Sequence, residues 1–99
     1  MDELHQLEDM RFVWDADKAF ANVTKHGLSF EKACEVFFDP LMQLWDASPN
    51  DDSRLAAVGA TMDREVLFVV HVDVEDTLVR IISARHATRT ERERYEEHQ

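Results

Sequence analysis

Two arginines carry the strongest chemical signal in this chain of 99 residues. Arg80 stands between Val79 and Ile81 in an apolar run, and Arg85 follows five positions later, where the chain turns polar. A guanidinium keeps its charge in a protein, so an arginine in such a run must reach solvent, a carboxylate or a phosphate. Five of the eleven basic residues (Arg80, Arg85, Arg89, Arg92, Arg94) fall in the last twenty positions. Residues 1–79 hold seventeen acids against six bases, whereas residues 80–99 hold four against five. An acidic chain of net charge −10 therefore concentrates its positive charge at one end. Charge placed so suits an anionic substrate or an acidic partner chain. Along a regular strand, an offset of five puts Arg80 and Arg85 on opposite faces. A shared site requires a bend or bulge near Ser83–Arg85. A surface ion pair with a neighbouring acid such as Asp73 is the plain alternative for Arg80.

These residues need a scaffold, and the chain is long enough for one domain with one core. Its 44% apolar and 32% charged residues are ordinary for a soluble globular protein. No apolar run approaches the roughly eighteen residues of a membrane span, and the acidic start lacks a secretory pattern. The single cysteine, Cys34, has no partner for an internal disulfide; this fits the cytoplasm, and its apolar flanks make it a small core residue. The acidic net charge argues against broad, nonspecific nucleic-acid binding.

Residues 1–9 show no usable period and read as a flexible N-terminal arm, leaving 10–99 as a single domain. Arg11–Trp14 reads as a short strand. Asp15 is a good N-cap for a helix with an apolar stripe of Ala16, Ala19, Phe20 and Val23. The other face of that helix carries Lys18, Asn22, Lys25 and His26, and Gly27 closes it. Ser29 caps a second helix (Phe30, Ala33, Cys34, Phe37) that stops at Asp39-Pro40. The period then changes to two. Strands are expected over Leu41–Ala47, Arg54–Met62, Glu65–Val74 and Thr77–Ala84, with a turn cluster at Ser48–Asp52. In the third of these, Val66, Phe68, Val70, Val72 and Val74 share one face; Leu67 and Val69 share the other, which turns polar at His71 and Asp73. Thr88 and Glu91 fit a capping box for a last helix running toward Gln99. The expected order is β-α-α-β-β-β-β-α. This is an α+β domain, an antiparallel sheet of consecutive hairpins packed on a two-helix hairpin.

The blocks Phe12-Val-Trp-Asp15, Asn22-x-x-Lys-His-Gly27, Ser29-Phe30, Phe37-x-Asp-Pro40, Arg80-Ile-Ile-Ser-Ala-Arg85 and Glu91-Arg-x-x-Tyr95 together resemble the BrnT family. The resemblance runs from about Phe12 to Tyr95 with the blocks in the family's order. It implies a RelE-like fold and a small ribonuclease that is the toxin of a type II toxin–antitoxin module. The implied partner is a ribbon-helix-helix antitoxin that occupies the toxin in a hetero-oligomer and brings it to operator DNA.

RNA cleavage without a metal needs a base for the ribose 2′-OH, positive charge on the scissile phosphate and an acid for the leaving 5′ oxygen. Arg80 and Arg85 suit the phosphate, since the guanidinium fork matches its oxygens. Lys25 and His26 are candidates for proton transfer or charge stabilisation, although cations at a helix end also favour its dipole. Arg54 is placed to position RNA or to pair with Asp51 or Asp52. Trp14 and Tyr95 are candidates for stacking on a base or supporting the site, with core packing and helix docking as the structural alternatives. His71 and His86 lack metal-ligand spacing, and no Gly-rich loop suggests a nucleotide cofactor, so neither metal nor cofactor is expected. The enzyme reading has a rival of another class: a catalytically weak module whose arginine-lined surface binds an acidic antitoxin or other partner.

Overall fold

The computed structural model describes residues 1–47 and 53–97, so the expected turn at Ser48–Asp52 lies outside the described residues. The chain runs β1 (Asp2–Leu7), β2 (Met10–Asp15), α1 (Ala16–His26), α2 (Phe30–Cys34), a 3-10 turn (Glu35–Phe38), β3 (Gln43–Asp46), β4 (Leu55–Ala60), β5 (Val66–Glu75), β6 (Leu78–His86) and α3 (Arg89–Glu97). One six-stranded sheet has the order β1-β2-β6-β5-β4-β3. Its pairings are antiparallel except β2 with β6, a parallel pair of three residue rows ending at Val13–Arg80.

Local chemistry explains the helix ends. Asp15 Oδ2 accepts the Lys18 N–H at 3.1 Å, and Gly27, at φ 69°, closes α1 in the left-handed region that glycine enters most easily. Ser29 Oγ accepts the Lys32 N–H at 3.1 Å. Thr88 and Glu91 form a reciprocal box: Thr88 Oγ1 accepts the Glu91 N–H at 3.2 Å, and Glu91 Oε1 accepts the Thr88 N–H at 2.8 Å.

Two expectations need correction. Residues 1–9 hold a strand where no regular element was expected: Asp2–Leu7 pair with β2 over six rows, through a turn that holds Glu8 at φ 55°. An edge strand with charges along it hides its period, and its partner lies beyond a local turn. α1 is rotated away from its expected stripe. Phe20 is 77% exposed, whereas Asn22 is buried. The Asn22 amide donates to the carbonyls of Leu28 (3.0 Å) and Ala84 (2.9 Å), and its oxygen accepts the Ala84 N–H at 3.1 Å. Beyond Arg80, β6 has no β2 residue beside it, and Asn22 takes that place on its backbone. Satisfying buried peptide groups outweighs covering one phenyl ring. The two faces of β5 serve two different clusters. Leu67 and Val69 lie in the main core with Phe12, Trp14, Phe30 and Ile81, under the helical layer of α1, α2 and the 3-10 turn. The side bearing Val66 and Phe68 packs with Trp45, Ala56, Val58 and Tyr95 in a second, smaller cluster.

Candidate functional site

The second side of the sheet is where the arginines meet. Register shifts between Val70 and His71 of β5, whose partners on β6 are Ser83 and Ile81, so Ile82 is an inserted residue. That bulge turns the odd offset into a shared face: Arg80 lies opposite Val72, and Arg85 lies opposite Phe68. Four residues of β5 separate these rows, about 13 Å at the usual strand rise. α3 covers the β3–β4 end of this side through Tyr95, which leaves Val70, Val72 and Ser83 as a half-buried floor between the two arginines.

Their guanidinium groups lean apart. Arg80 holds Asp2 of β1 with two bonds, Nη2 to Oδ2 at 2.7 Å and Nη1 to Oδ1 at 3.3 Å. Asp73 is not its partner. Arg85 holds Glu91 of α3 with Nη1 to Oε1 at 2.7 Å and Nη2 to Oε2 at 3.0 Å, and stacks 4.1 Å above the Phe68 ring centroid. The Arg85 guanidinium beside Glu91 holds that carboxyl below its usual range, against the opposing effect of burial. Hydrogen bonding to Arg80 likewise lowers the Asp2 carboxyl. Each arginine is thus a formed bidentate anion site now filled by a carboxylate.

The other expected residues fall in different places. Arg54 stands just before β4; since Leu55 pairs with His71, Arg54 continues the row of Val72 and Arg80, two strand spacings or about 10 Å from Arg80. Lys25 and His26 lie three and four residues beyond Asn22 on α1, the same helical face, one turn from the clamp on Ala84. They sit at the β6 edge and not on the floor between the arginines. Trp14 is excluded from stacking on a base. It is 2% exposed in the main core, edge-on to Phe30, with Nε1 donating to Glu3 Oε1 at 2.9 Å. Tyr95 docks α3: its hydroxyl donates to Asp39 Oδ2, and its carbonyl accepts from Gln43 Nε2 at 2.9 Å.

Asp39, which the sequence marks only as a helix stop, joins three elements. Besides Tyr95 it accepts the Ala60 N–H (2.8 Å) and the Leu41 N–H (2.9 Å). Burial pushes its carboxyl up, but the bonds from Tyr95, Ala60 and Leu41 prevail and hold it below the ordinary value. A depressed folded-state pKa stabilises above the unfolded value and is lost as pH falls through the folded value. Asp39→Asn is therefore expected to cost about 1–3 kcal/mol at neutral pH. In urea melts the gap from the parent should narrow below about pH 4.

A family model for the ribonuclease toxin BrnT of type II toxin–antitoxin systems matches residues 14–91. The chain belongs to the BrnT family. The crystal structure of the Brucella abortus ribonuclease toxin BrnT is similar at 27% identity and a TM-score of 0.63, covering 77% of this chain and 94% of that one. No curated protein matches the chain in a sequence comparison. The span matched to BrnT contains Lys25, His26, Arg54, Arg80 and the whole Arg85–Glu91 pair, whereas Asp2, the partner of Arg80, lies outside it. Glu91, marked by the sequence as a helix cap, is also the partner of Arg85. Its spacing of six from Arg85, across a turn into a helix, is the signal that could have disclosed the pair.

Proposed function

We propose that this BrnT-family chain is a metal-independent endoribonuclease of RelE-like kind, held in check by a ribbon-helix-helix antitoxin in the cytoplasm. The observation that carries the reading is the bulge at Ile82, which sets Arg80 and Arg85 on one face, with Arg54 continuing the row of Arg80. Arginines about 13 Å apart and leaning apart suit two different phosphates of one strand. RNA phosphate would replace Asp2 and Glu91 in the two forks. Arg54 positions the strand, and His26 with Lys25 supplies proton transfer or charge stabilisation from the β6 edge. Trp14 and Tyr95 support the scaffold and take no part in contact with RNA. Among the described residues no helix is long and apolar enough to cross a membrane, and no group of three or more His, Cys, Asp or Glu is placed to hold a metal ion.

Attack by the 2′-OH on the adjacent phosphate leaves a 2′,3′-cyclic phosphate and a free 5′-hydroxyl, and the test reads those ends. The purified chain should cleave single-stranded RNA in EDTA with these products. Loss of cleavage in EDTA, restored by one divalent ion, would overturn the scheme.

One observation favours a second reading. Both guanidinium forks are already filled by carboxylates, and an acidic antitoxin segment would offer the same chemistry. In that case the face binds the antitoxin tightly and RNA negligibly. Toxin and antitoxin functions of one face are also compatible, since an acidic segment seated there would exclude RNA.

A further inference from the structure

The opposite side of the sheet holds a cavity that the ribonuclease reading does not use. It measures about 460 Å³, within the roughly 300–1,000 Å³ usual for ligand sites. Phe37, Met10 and Met42 form its apolar wall, and His71, Asp73 and Glu75 supply its polar groups. His71 and Asp73 alternate along β5 with Val72, which lies opposite Arg80, so the cavity and the arginine face are back to back.

His71 is the informative group. It is 1% exposed and packs edge-on against Phe37 at 4.9 Å. Its Nδ1 lies 3.2 Å from the Val69 carbonyl. A carbonyl only accepts, so the proton is assigned to Nδ1, and Nε2 keeps a lone pair. The Asp73 carboxylate is 3.9 Å from Nε2, too far for a hydrogen bond and itself an acceptor. Burial favours the neutral ring. The lining therefore offers Nε2 and the carboxylates of Asp73, Glu75 and Asp76 as acceptors, with no side-chain donor left to serve them. What such a site lacks is a cationic donor on an apolar stem. The rim extends this beyond a small amine: Leu44 and Val74, which also line the cavity, are 53% and 49% exposed.

We infer that this cavity receives an arginine or lysine side chain from a basic segment of a partner protein. The cationic head donates to His71 Nε2 and Asp73, its stem lies along Phe37 and the two methionines, and apolar neighbours in the segment cover Leu44 and Val74. Charge complementarity selects the occupant, because the three lining carboxylates are on exposed residues and no lysine or arginine stands among the lining residues.

The test titrates the full chain with acetyl-Ala-Leu-Arg-Leu-Ala-amide while NMR follows the His71 ring and the methyls of Leu44 and Val74. Saturable shifts at all three are expected. The peptide carrying neutral citrulline in place of arginine should bind at least about tenfold more weakly, as should the arginine peptide with Asp73→Asn. Asp73 is largely exposed, so that variant folds where a substitution of buried His71 risks unfolding. Asp73→Asn should leave RNA cleavage unchanged, which separates this inference from the one on the other face. Equal binding of the citrulline peptide, tighter binding of spermidine than of the peptide, or zinc saturating His71 in preference to it would each overturn the assignment. So would an absence of shifts at millimolar peptide.

Discussion

Arg85→Ala is expected to lower RNA cleavage by on the order of 100- to 1000-fold, the usual consequence of removing one donor that stabilises transition-state charge. Arg80→Ala should act in the same direction. The stability consequences of the two differ. The Arg80–Asp2 pair lies at the surface, and its loss should leave the melting temperature nearly unchanged. Arg85 is bound to a part-buried Glu91 that also accepts the N–H of Thr88 just before α3, so its removal leaves a carboxylate without its charge partner. Arg85→Ala combined with Glu91→Gln separates the two effects, because glutamine at that position preserves the capping box. A double variant that melts like the parent yet cleaves on the order of 100-fold more slowly assigns Arg85 to the chemistry. Full cleavage by folded forms of both arginine variants would remove this face from the mechanism.

The largest stability effect is expected at Asn22. Asn22→Leu keeps the volume but strips partners from three backbone groups, the Ala84 N–H and the carbonyls of Ala84 and Leu28. Leaving buried peptide groups unserved costs about 1–3 kcal/mol each, and because such losses do not add fully, a total of about 3–5 kcal/mol is expected. For a domain of this size that lowers Tm by roughly 15 °C or more. Cleavage by the surviving folded fraction should also drop, since Lys25 and His26 lie one turn from this clamp. A leucine variant as stable as the parent would show that the Asn22 amide does not hold α1 on β6. Phe20→Ser, by contrast, alters an exposed side chain and should change stability by no more than about 0.5 kcal/mol.

The contrast between Asn22 and Phe20 shows what could be read from the sequence. Features decided by a few neighbouring residues were legible: the Asp15 and Ser29 caps, the Gly27 stop, the Thr88–Glu91 box and the four hairpin strands from Gln43 onward. The bulge was legible as a requirement, because a five-residue offset cannot otherwise place two arginines on one face; it lies at Ile82, one residue before the stretch expected to bend. Two kinds of feature were not legible: β1, whose partner β2 is next in the chain but which as a charged edge strand has no apolar period to betray it, and whatever depended on distant partners. The orientation of α1 follows from an orphaned stretch of β6 some sixty residues away, which only the assembled sheet reveals. Trp14 goes to the core because β2 lies beneath the helical layer, and Asp39 gathers donors from β4 and α3 that have no mark in its own surroundings. In the candidate site, Arg54, Arg80 and Arg85 stand out by residue type, whereas Asp2 and Glu91, the carboxylate partners of Arg80 and Arg85, are set by topology.

On the proposed function, Arg80 and Arg85 each neutralise one phosphate of a bound RNA strand. The dependence of RNA affinity on salt measures that number directly. Each phosphate contact on a single strand contributes about 0.7 to the negative slope of log K against log salt concentration. Fluorescently labelled RNA, titrated with the parent chain and with Arg80→Ala, Arg85→Ala and the double variant over a range of salt, supplies the four slopes. The slope should be shallower by about 0.7 for each arginine removed and about 1.4 for both, with affinity falling in step. Slopes and affinities that stay the same across all four proteins, or RNA binding too weak to measure even at low salt, would contradict the proposed function.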